Sequence, residues 1–392
     1  MNYISHFTVI RRDFMKKVGG FRPGFEGSQD YDLLLRVTEL TDRIGHVPKP
    51  LYSWRMVPGF AVTSMEAKPC ARESAKKALQ EALNRRGLKG EVLDGFGDHY
   101  RVRYTIRGLP LVSIIIPTKD RVDLLKRCIE SIESKTFYRN YEIIIVDNNS
   151  TDPSTLGYLE SIPHRVMKFN GSFNFSKINN FAAKYTKGEH ILFLNNDIEV
   201  VEEHWLEAML EHSQRPEVGM VGARLLYPRD SANNGHGRIQ HAGVIVGIFG
   251  TAGHAFRYLP SNSPNYFNLH RVIRNCSAVT AACAMVRRSV FDEVGGFDEN
   301  LKVAFGDIDL CLRMREKGYL VVYTPYAMLY HHEYATRGKR HPPEDEAYMM
   351  NRWREFFIKG DPFYNPNLTL LREDYSLASK KDSVSDLSLI HI

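Results

Sequence analysis

Acid side chains follow two apolar runs of the sequence directly, and these are the residues whose types could do chemistry. Asp147 comes after the run at residues 141–146, and Asp197 ends the tripeptide that follows the run at residues 190–194. In an open α/β sheet, ligands bind just beyond the carboxyl ends of the strands. We expect the two runs to be neighbouring strands whose polar ends form one site for a polar, phosphate-bearing ligand held partly through a cation.

The acid at position 197 suits a cation site. Mg²⁺ binds oxygen ligands and typically takes one or two carboxylates together with substrate phosphates, and Asp197 could supply one carboxylate. The amides of Asn195 and Asn196, directly before it, could bind the hydroxyl groups of a sugar or a ribose. The alternative for these three residues is an Asx turn that closes the strand and binds nothing.

Polar residues also lie at the ends of the first two predicted strands, at residues 111–117 and 141–147, and directly after them. A carboxylate at Asp147 could accept a hydrogen bond from a base N–H or a ribose hydroxyl, and the exit of the first strand could bind the same groups. The other residues concerned are Pro117, Thr118, Asp120, Arg121 and Asn149. The alternative for both segments is a plain turn or a capped loop. The first exit contains neither G-x-G-x-x-G nor G-x-x-x-x-G-K-[ST], which argues against a dinucleotide-binding fold and against a P-loop.

Two acids, Asp307 and Asp309, open a predicted helix. Acids near a helix start are stabilised by the helix dipole by about 0.3–1 kcal/mol each, which would account for both without a site. Residues i and i+2 point in different directions on a helix, so Asp309 can pair with Arg313 while Asp307 faces a cleft. Asp307 is therefore the candidate general base.

A histidine pair, His331-His332, follows an apolar run at residues 327–330. On a strand, neighbouring side chains face opposite ways, so at most one of the two can join Asp197 at a cation. The alternative is a pair of surface histidines.

Strands and helices alternate in the middle of the chain, which predicts an α/β fold with a mostly parallel, doubly wound sheet flanked by helices. Predicted strands lie at residues 111–117, 141–147, 190–195, 218–223, 240–248 and 281–286, and predicted helices at residues 66–88, 122–134, 176–186, 202–214, 289–294 and 308–317. Ser176 is the candidate N-cap of one of these helices.

The composition is that of a folded protein without a nucleic-acid partner. The 392 residues are 43% hydrophobic and 25% charged, with a formal net charge of +6, which fits an anionic ligand or a loose association with a membrane surface. The charge is too diffuse for a nucleic-acid stripe. Five cysteines without metal spacing indicate reduced, mostly buried thiols in a cytoplasmic protein. The sequence shows no membrane span and no signal peptide, so association with the inner face of the cytoplasmic membrane would be peripheral.

The chain also contains an incomplete internal repeat. Its markers are an arginine pair, a Val-Gly-Gly-Phe tetrapeptide, an Asp-x-Asp-Leu tetrapeptide and a later arginine. They begin at Arg11, Val18, Asp30 and Arg36, and again 276 or 277 positions later at Arg287, Val294, Asp307 and Arg313. We predict that residues 1–90 are the C-terminal part of a truncated first module, residues 91–109 a linker, residues 110–367 a complete module and residues 368–392 a disordered tail.

Taken together, these motifs resemble the family 2 glycosyltransferases of the GT-A fold. The resemblance covers residues 110–367 and rests on the order and spacing of residues 112–117, 146–152, 188–197, 295–313 and 330–338. Residues 173–180, 240–243 and 330–333 are most similar to the bacterial, rhamnosyltransferase-like enzymes that build O-antigen and other surface polysaccharides.

The resemblance implies a role for each candidate residue. Thr118 to Arg121 and Asp147 would hold the base and ribose of a nucleotide-sugar, and Asn180 would help to shape that pocket. Asp197 matches the last acid of the D-x-D metal motif, and His332, or alternatively His331, the histidine near the metal.

The resemblance implies which residue is the base, and this sequence departs from the family pattern at two positions. Asp307 matches the base of inverting members. Asn195 replaces the first acid of D-x-D, so an uncharged amide would weaken metal binding, and Gly306 replaces the acid that usually precedes the base.

The sequence therefore predicts an inverting glycosyltransferase that moves a sugar from a nucleotide-diphosphate-sugar to a growing or lipid-linked glycan of a bacterial surface polysaccharide. Mg²⁺ or Mn²⁺ would be its cofactor. Two alternatives stay open. One is a glycan-binding or scaffolding module derived from a transferase, and the other is a nucleotidyltransferase, which usually needs a glycine-rich loop after the first strand that this sequence lacks.

Overall fold

In a computed structural model of the chain, the structure describes residue 4 and residues 7–49, 51–53, 69–228, 237–332 and 341–379. The chain divides into two compact units, Met1–Thr105 and Ile106–Ile392. The boundary between the units falls inside the stretch that the sequence indicated as a linker.

The described residues of the first unit form three helices and one hairpin. The helices are α1 (Arg12–Val18), α2 (Gln29–Val37) and α3 (Pro69–Arg85), and the antiparallel strands are β1 (Gly90–Asp94) and β2 (Tyr100–Tyr104). The predicted helix at residues 66–88 corresponds to α3, while residues 66–68 lie outside the described residues. The prediction of a linker over residues 91–109 is wrong for the hairpin, whose short strands lack a long apolar run and therefore left little signal in the sequence.

The repeated markers make the same hydrogen bonds in both units. In the second unit, Arg313 donates to the carboxylate of Asp309 at 2.8 Å. It also donates to the backbone oxygens of Val294 and Gly296 at 2.5 and 2.6 Å. The first unit has the same set of bonds among the corresponding residues Arg36, Asp32, Val18 and Gly20. The arginine thus ties the helix of each copy to its glycine turn, which supports the prediction that the two segments are copies of one module.

The second unit is an α/β domain. Its strands are β3 (Val112–Thr118), β4 (Tyr141–Asp147), β5 (Arg165–Lys168), β6 (His190–Leu194), β7 (Ile198–Val200), β8 (Val218–Leu226), β9 (Ile239–His241), β10 (Val244–Val246), β11 (Ala252–His254), β12 (Arg274–Asn275), β13 (Cys283–Arg287) and β14 (Leu320–His331). Its helices are α4 (Val122–Lys135), α5 (Pro153–Ser161), α6 (Phe175–Ala183), α7 (Trp205–Ser213), α8 (Arg288–Glu293), α9 (Gly306–Glu316), α10 (Pro343–Arg352) and α11 (Arg354–Lys359).

One sheet runs through this domain in the order β12-β14-β8-β13-β6-β3-β4-β5. The pairs β3–β4, β4–β5, β3–β6 and β8–β14 are parallel, whereas β13 is antiparallel to both of its neighbours. This confirms the mostly parallel sheet. We expected the strands that end at Asp147 and before Asn195 to be neighbours. This expectation is wrong, because β3 lies between them. Their carboxyl ends still share one edge of the sheet, since both are parallel to β3.

Helices cover both faces of the sheet, as a doubly wound fold requires. Successive side chains of a strand point to opposite faces, and the fully buried residues of β3 follow this rule: Ile115 belongs to one core cluster, and Ile114 and Ile116 to the other. The cluster of Ile115 includes residues of α6, α8 and α9, and the second cluster includes residues of α4 and α7. The carboxyl edge of the sheet is therefore held rigidly between two helical layers.

The C-terminal segment packs onto this domain beyond the end that the sequence predicted. Leu368 and Tyr375 are 5% and 4% exposed, and the Tyr375 ring stacks on Phe256 with centroids 4.2 Å apart. The prediction of a disordered tail from residue 368 is therefore wrong for residues 368–379, and residues 380–392 lie outside the described residues. The segment lacks a helical or alternating pattern, so its packing depends on single aromatic and aliphatic anchors.

The prediction of Ser176 as the N-cap of α6 is wrong, whereas the cysteines are free and mostly buried as predicted. The side chain of Asn174, not that of Ser176, caps α6 by accepting from the Lys177 N–H at 2.9 Å. Ser176 instead donates to the backbone oxygen of Leu301 at 2.6 Å. All five cysteines are free, and four of them are buried, as expected for reduced thiols.

Candidate active site

A cavity of about 400 Å³ opens at the carboxyl edge of the sheet. This volume is in the range of small-molecule sites. Six of the candidate site residues singled out in the sequence line it: Pro117, Asn195, Asn196, Asp197, Asp307 and His331. Pro117 lies near the end of β3, and the three residues 195–197 follow β6. Asp307 stands in the first turn of α9, and His331 is the last residue of β14. The fold therefore brings the predicted cation residue and the predicted base into one hollow.

Asp197 and His331 form the polar centre of this cavity. Both are buried, and Nε2 of His331 lies 3.2 Å from Oδ1 of Asp197. Burial alone would raise the pKa of Asp197, but the adjacent imidazole of His331 outweighs it and holds this pKa below its usual value. The carboxyl group is therefore ionised at neutral pH, as a metal ligand must be.

The same two residues fit a divalent cation. Two ligands at about 2.1 Å from one octahedral cation, at right angles, are about 3.0 Å apart, which is close to the separation observed. Apart from the contact between the two side chains, Asp197 Oδ1 and His331 Nδ1 are buried without a hydrogen-bond partner among the described residues. Within that part of the chain, no three His, Cys, Asp or Glu side chains cluster closely enough to hold a metal by themselves. A cation here would take further ligands from water and from phosphate oxygens.

His332, which the sequence analysis preferred as the metal residue, faces away from this pair. Its Nε2 lies 3.1 Å from a carboxylate oxygen of Glu199, and its Nδ1 lies 3.3 Å from Arg127. Only its backbone N–H reaches Asp197, donating to the carbonyl oxygen at 2.9 Å. The reason is the pairing of β14 with β7, which sets His331 opposite Ile198 and so turns the next side chain to the other face. The metal assignment therefore moves from His332 to His331.

The carboxylate of Asp307 is held by two backbone groups. The N–H of Ala281 donates to Oδ2 at 2.9 Å, and the N–H of Ile308 donates to Oδ1 at 2.9 Å. Gly306, where the family has an acid, approaches Ser176 so closely that a Cβ atom would lie 2.9 Å from its Oγ. A side chain at position 306 would have to shift the Ser176 side chain and break its hydrogen bond to Leu301, so Asp307 is the acid that this loop presents to the cavity.

The predicted nucleotide residues beyond Pro117 form a loop cluster at the same edge of the sheet. Thr118 accepts from the Asn196 amide at 3.0 Å, which connects the cluster to the cavity. Asp120 accepts from the N–H groups of Thr151 and Asp152 at 2.7 and 2.9 Å, and so joins the exits of β3 and β4.

The remaining members of the cluster also make bonds within it. Asp147, which is buried, accepts from the N–H of Ser150 at 2.9 Å. Asn149 donates to the backbone oxygen of Gly171 at 3.1 Å. Arg121 pairs with Asp123 at 2.9 Å. None of Thr118, Asp120, Arg121, Asp147 and Asn149 is among the described residues that line the cavity itself.

Asn180 lies elsewhere and has a structural role. Its side chain donates to the backbone oxygen of Phe297 at 2.9 Å and accepts from the N–H of the same residue at 2.9 Å. A Cβ atom on Gly296, whose φ is +69°, would come within 2.6 Å of the Asn180 Oδ1. Asn180 therefore holds the repeated glycine turn against α6, and the pocket-shaping role expected from the resemblance is not what its contacts show.

Several cavity residues were not singled out in the sequence. They come from residues 249–257, from the segment just before α10 and from the C-terminal segment, and include Phe249, His254, Arg257, His341 and Glu373. His254 donates its backbone N–H to Oε1 of Glu373 at 2.7 Å, a contact across 119 positions of sequence. The predicted strand at residues 240–248 is in fact broken at Gly243, whose φ is +98°. No local periodicity marks such residues, so the sequence offered no signal for them.

His241 is a buried residue that contacts the loop next to Asp307. Its Nδ1 lies 2.9 Å from the backbone oxygen of Ala223, and its Nε2 accepts from the N–H of Thr280 at 3.3 Å. Burial lowers the pKa of His241 to about 3, so the ring is neutral and one nitrogen can accept. The next residue, Ala281, donates to Asp307. His241 thus fixes the loop that in turn orients the candidate base.

Asp345 of α10 fixes the loop on the other side of Asp307. It is 2% exposed and accepts from the N–H groups of Lys302, Val303 and Ala304 at 3.3, 2.8 and 2.9 Å. These residues lead directly into α9, so a displacement of the loop would move the base.

We expect Asp345→Ala to lower the free energy of unfolding by about 3 kcal/mol, because three backbone N–H groups lose a buried acceptor. Urea denaturation would measure this loss. Glu346→Ala is the matched control, because Glu346 is the next residue of the same helix and is exposed. Equal stability of the two variants would show that the carboxylate does not hold the loop.

The described residues include no helix that is both long and apolar enough to cross a membrane.

Comparison with known proteins places this domain. Residues 113–295 match the family "Glycosyl transferase family 2". The chain is 46% identical to the uncharacterized protein y4gI of Sinorhizobium fredii over 98% of its own length and 43% of that protein. It is 41% identical to the O-antigen biosynthesis protein RfbC of Myxococcus xanthus, over 99% of its own length and 30% of that protein. The chain thus spans less than half the length of either relative.

Among solved structures, that of GalNAc-T7 with UDP, GalNAc and Mn²⁺ superposes with a TM-score of 0.50 at 15% sequence identity. The superposition covers 64% of this chain and 50% of that chain, and it shows a shared fold. With the matched family, the sheet and the residues at its carboxyl edge, it leads to one conclusion. Residues 113–295 lie in a domain that is similar to the glycosyltransferases of family 2 and shares its fold with GalNAc-T7, and the cavity is the candidate active site of that domain.

Proposed function

We propose that this domain transfers a sugar from a nucleotide-diphosphate-sugar to a growing glycan of a bacterial surface polysaccharide, with inversion at the anomeric carbon. The observation that carries the proposal is the cavity that Asp197, His331 and Asp307 share at the edge of the sheet. The name of the relative RfbC, an O-antigen biosynthesis protein, supports the choice of acceptor pathway.

Asp307 is the proposed base. It would take the proton of the acceptor hydroxyl as that oxygen attacks the sugar, and such a base typically contributes about 10²–10⁴-fold in rate. The two backbone N–H groups that bind its oxygens keep the carboxylate in one orientation, so it would not have to be ordered when the acceptor arrives. A single displacement requires one carboxylate that can take the proton of the acceptor hydroxyl, and Asp307 is the one proposed for this role.

Asp197 and His331 are the proposed ligands of a divalent cation, Mg²⁺ or Mn²⁺. When bound, this cation would neutralise the charge that develops on the departing diphosphate. Asn195 and Asn196 line the cavity beside the pair and would donate amide hydrogen bonds to the donor. The loop cluster after β3 and β4, which contains Thr118, Asp120 and Asp147, would bind the nucleoside through its remaining polar groups.

A donor panel tests this proposal. The protein should release a nucleoside diphosphate from at least one of a set of UDP-, GDP- and dTDP-sugars when oligosaccharide acceptors and Mn²⁺ are present, and EDTA should suppress the release. NMR of the product should show an anomeric configuration opposite to that of the donor.

The alternatives give other results in the same panel. Release of pyrophosphate would indicate a nucleotidyltransferase. Binding of oligosaccharides without turnover of any donor would indicate a glycan-binding module. Retention of the donor's anomeric configuration would reject the single displacement.

A further inference from the structure

One wall of the cavity carries an exposed aromatic ring in an unfavourable backbone conformation. Phe249 lies in the turn between β10 and β11, lines the cavity and is 57% exposed. Its φ of +52° is in the left-handed region. The turn is closed by the N–H of Gly247 donating to the oxygen of Thr251 at 2.7 Å. The N–H of Phe249 itself donates to the oxygen of Leu370 at 2.9 Å, so the C-terminal segment holds the turn in place.

Folding does not explain a phenylalanine at this position. A left-handed conformation costs a residue with a side chain about 1–2 kcal/mol relative to the right-handed one, whereas glycine adopts it freely. Gly247 and Gly250, on either side of Phe249, have positive φ and avoid this cost. The exposed ring also adds little to the free energy of folding, because an apolar side chain stabilises a protein mainly when it is buried. Strain of this kind concentrates at binding sites.

The groups around the ring suit a sugar. Gln240, His254 and Glu373 line the same cavity and bring amide, imidazole and carboxylate groups to it. A pyranose ring has hydroxyl groups at its rim and a face of C–H groups, so it is bound by polar side chains together with a flat aromatic face. The proposed cation and diphosphate residues follow β6 and end β14, whereas this wall belongs to residues 240–254 and to the C-terminal segment.

We infer that Phe249 is a stacking platform for a pyranose ring of the acceptor glycan. The inference rests on the proposed function, since it assigns the acceptor to the wall formed by Phe249, His254 and Glu373. The donor then occupies the side that carries Asp197 and His331. Phe249 acts as a binding and specificity residue, and it takes no part in proton transfer.

Kinetics with the donor and acceptor found in the panel test the inference. Phe249→Ala should raise the KM for the acceptor by about 10-fold, the upper value for an aromatic contact of this kind. The KM for the donor should change by less than about 2-fold, and Phe249→Tyr, which keeps the ring, should restore the acceptor KM. Phe267→Ala is the matched control, because Phe267 is 58% exposed with a φ of +48° but is not among the described residues that line the cavity. An unchanged acceptor KM in Phe249→Ala, or an equal rise in Phe267→Ala, would overturn the inference.

A second measurement does not depend on turnover. Phe249→Trp places an indole at the same position, and its fluorescence should change on titration with methyl glycosides, while that of Phe267→Trp should not. A response of Phe249→Trp in a protein that turns over no donor would support the platform and contradict the proposed transferase. Silence of Phe249→Trp towards every glycoside would count against the platform even if transfer is observed.

Discussion

Asp307→Asn should reduce sugar transfer by about 10²–10⁴-fold, the usual contribution of a general base. The amide has nearly the same shape as the carboxylate but cannot take the proton of the acceptor hydroxyl. One of the two N–H donors, Ala281 or Ile308, keeps an oxygen acceptor in the variant, so the fold and the cavity should persist. Initial rates at saturating donor and acceptor would measure the loss. Calorimetric titration with the nucleoside diphosphate should show unchanged affinity.

Two neighbouring substitutions sharpen this test. Glu316→Gln, at the other end of α9 and exposed, makes the same chemical change and should leave the rate unaltered. Asp309→Asn should instead destabilise the protein, because its carboxylate is fully buried and binds Arg313, Arg352 and the Trp353 indole. Breaking a buried charge pair costs about 3–5 kcal/mol. Full activity in Asp307→Asn would reject the base assignment, and a loss of nucleotide affinity in that variant would indicate a structural role.

Asp197→Ala and His331→Ala should each remove most of the Mn²⁺ dependence of nucleotide binding. Mutation of residues that only support a metal ligand typically costs about 10–100-fold in metal affinity or activity, so loss of a ligand should cost at least that much. Asn195 cannot compensate, because an amide oxygen carries no net charge. Titrations with UDP, GDP and dTDP, with and without Mn²⁺, would measure the metal-dependent part of the affinity.

His332→Ala is the matched control for this experiment. Its side chain pairs with Glu199 and Arg127, so the Mn²⁺ dependence should be retained. The reverse pattern, in which His332→Ala loses the dependence and His331→Ala keeps it, would contradict the geometry of the site. If both histidine variants retain the Mn²⁺ dependence, His331 is not a metal ligand, and Asp197 is left as the proposed ligand from the protein.

The histidine pair shows how far sequence reasoning could go. Alternation along a strand established that only one of His331 and His332 could reach Asp197. Which one does so depends on the register between β14 and β7, and that register is set by a pairing of residues more than 130 positions apart, His331 with Ile198. The sequence therefore limited the choice to two without deciding it.

Asn180 illustrates a second limit. An asparagine on the exposed side of a helix could bind a ligand or another loop, and the sequence does not distinguish the two. In the structure, the backbone oxygen and N–H of Phe297 each lie 2.9 Å from the side-chain amide of Asn180. These two hydrogen bonds indicate the structural role. The resemblance to the family predicted a pocket residue, whereas the contacts of the side chain show a structural one.

Patterns in the sequence predicted the alternation of strands and helices, the polar ends of β4 and β6, and different surroundings for Asp307 and Asp309. These follow from side-chain periodicity and from the physical chemistry of strand ends and helix starts, which act over a few residues. Tertiary contacts, in contrast, place β3 between those strands, turn His331 towards Asp197, and bring Phe249 and Glu373 to the cavity. Such contacts join segments that are well separated in the sequence, and their energies depend on packing and register that no local pattern encodes.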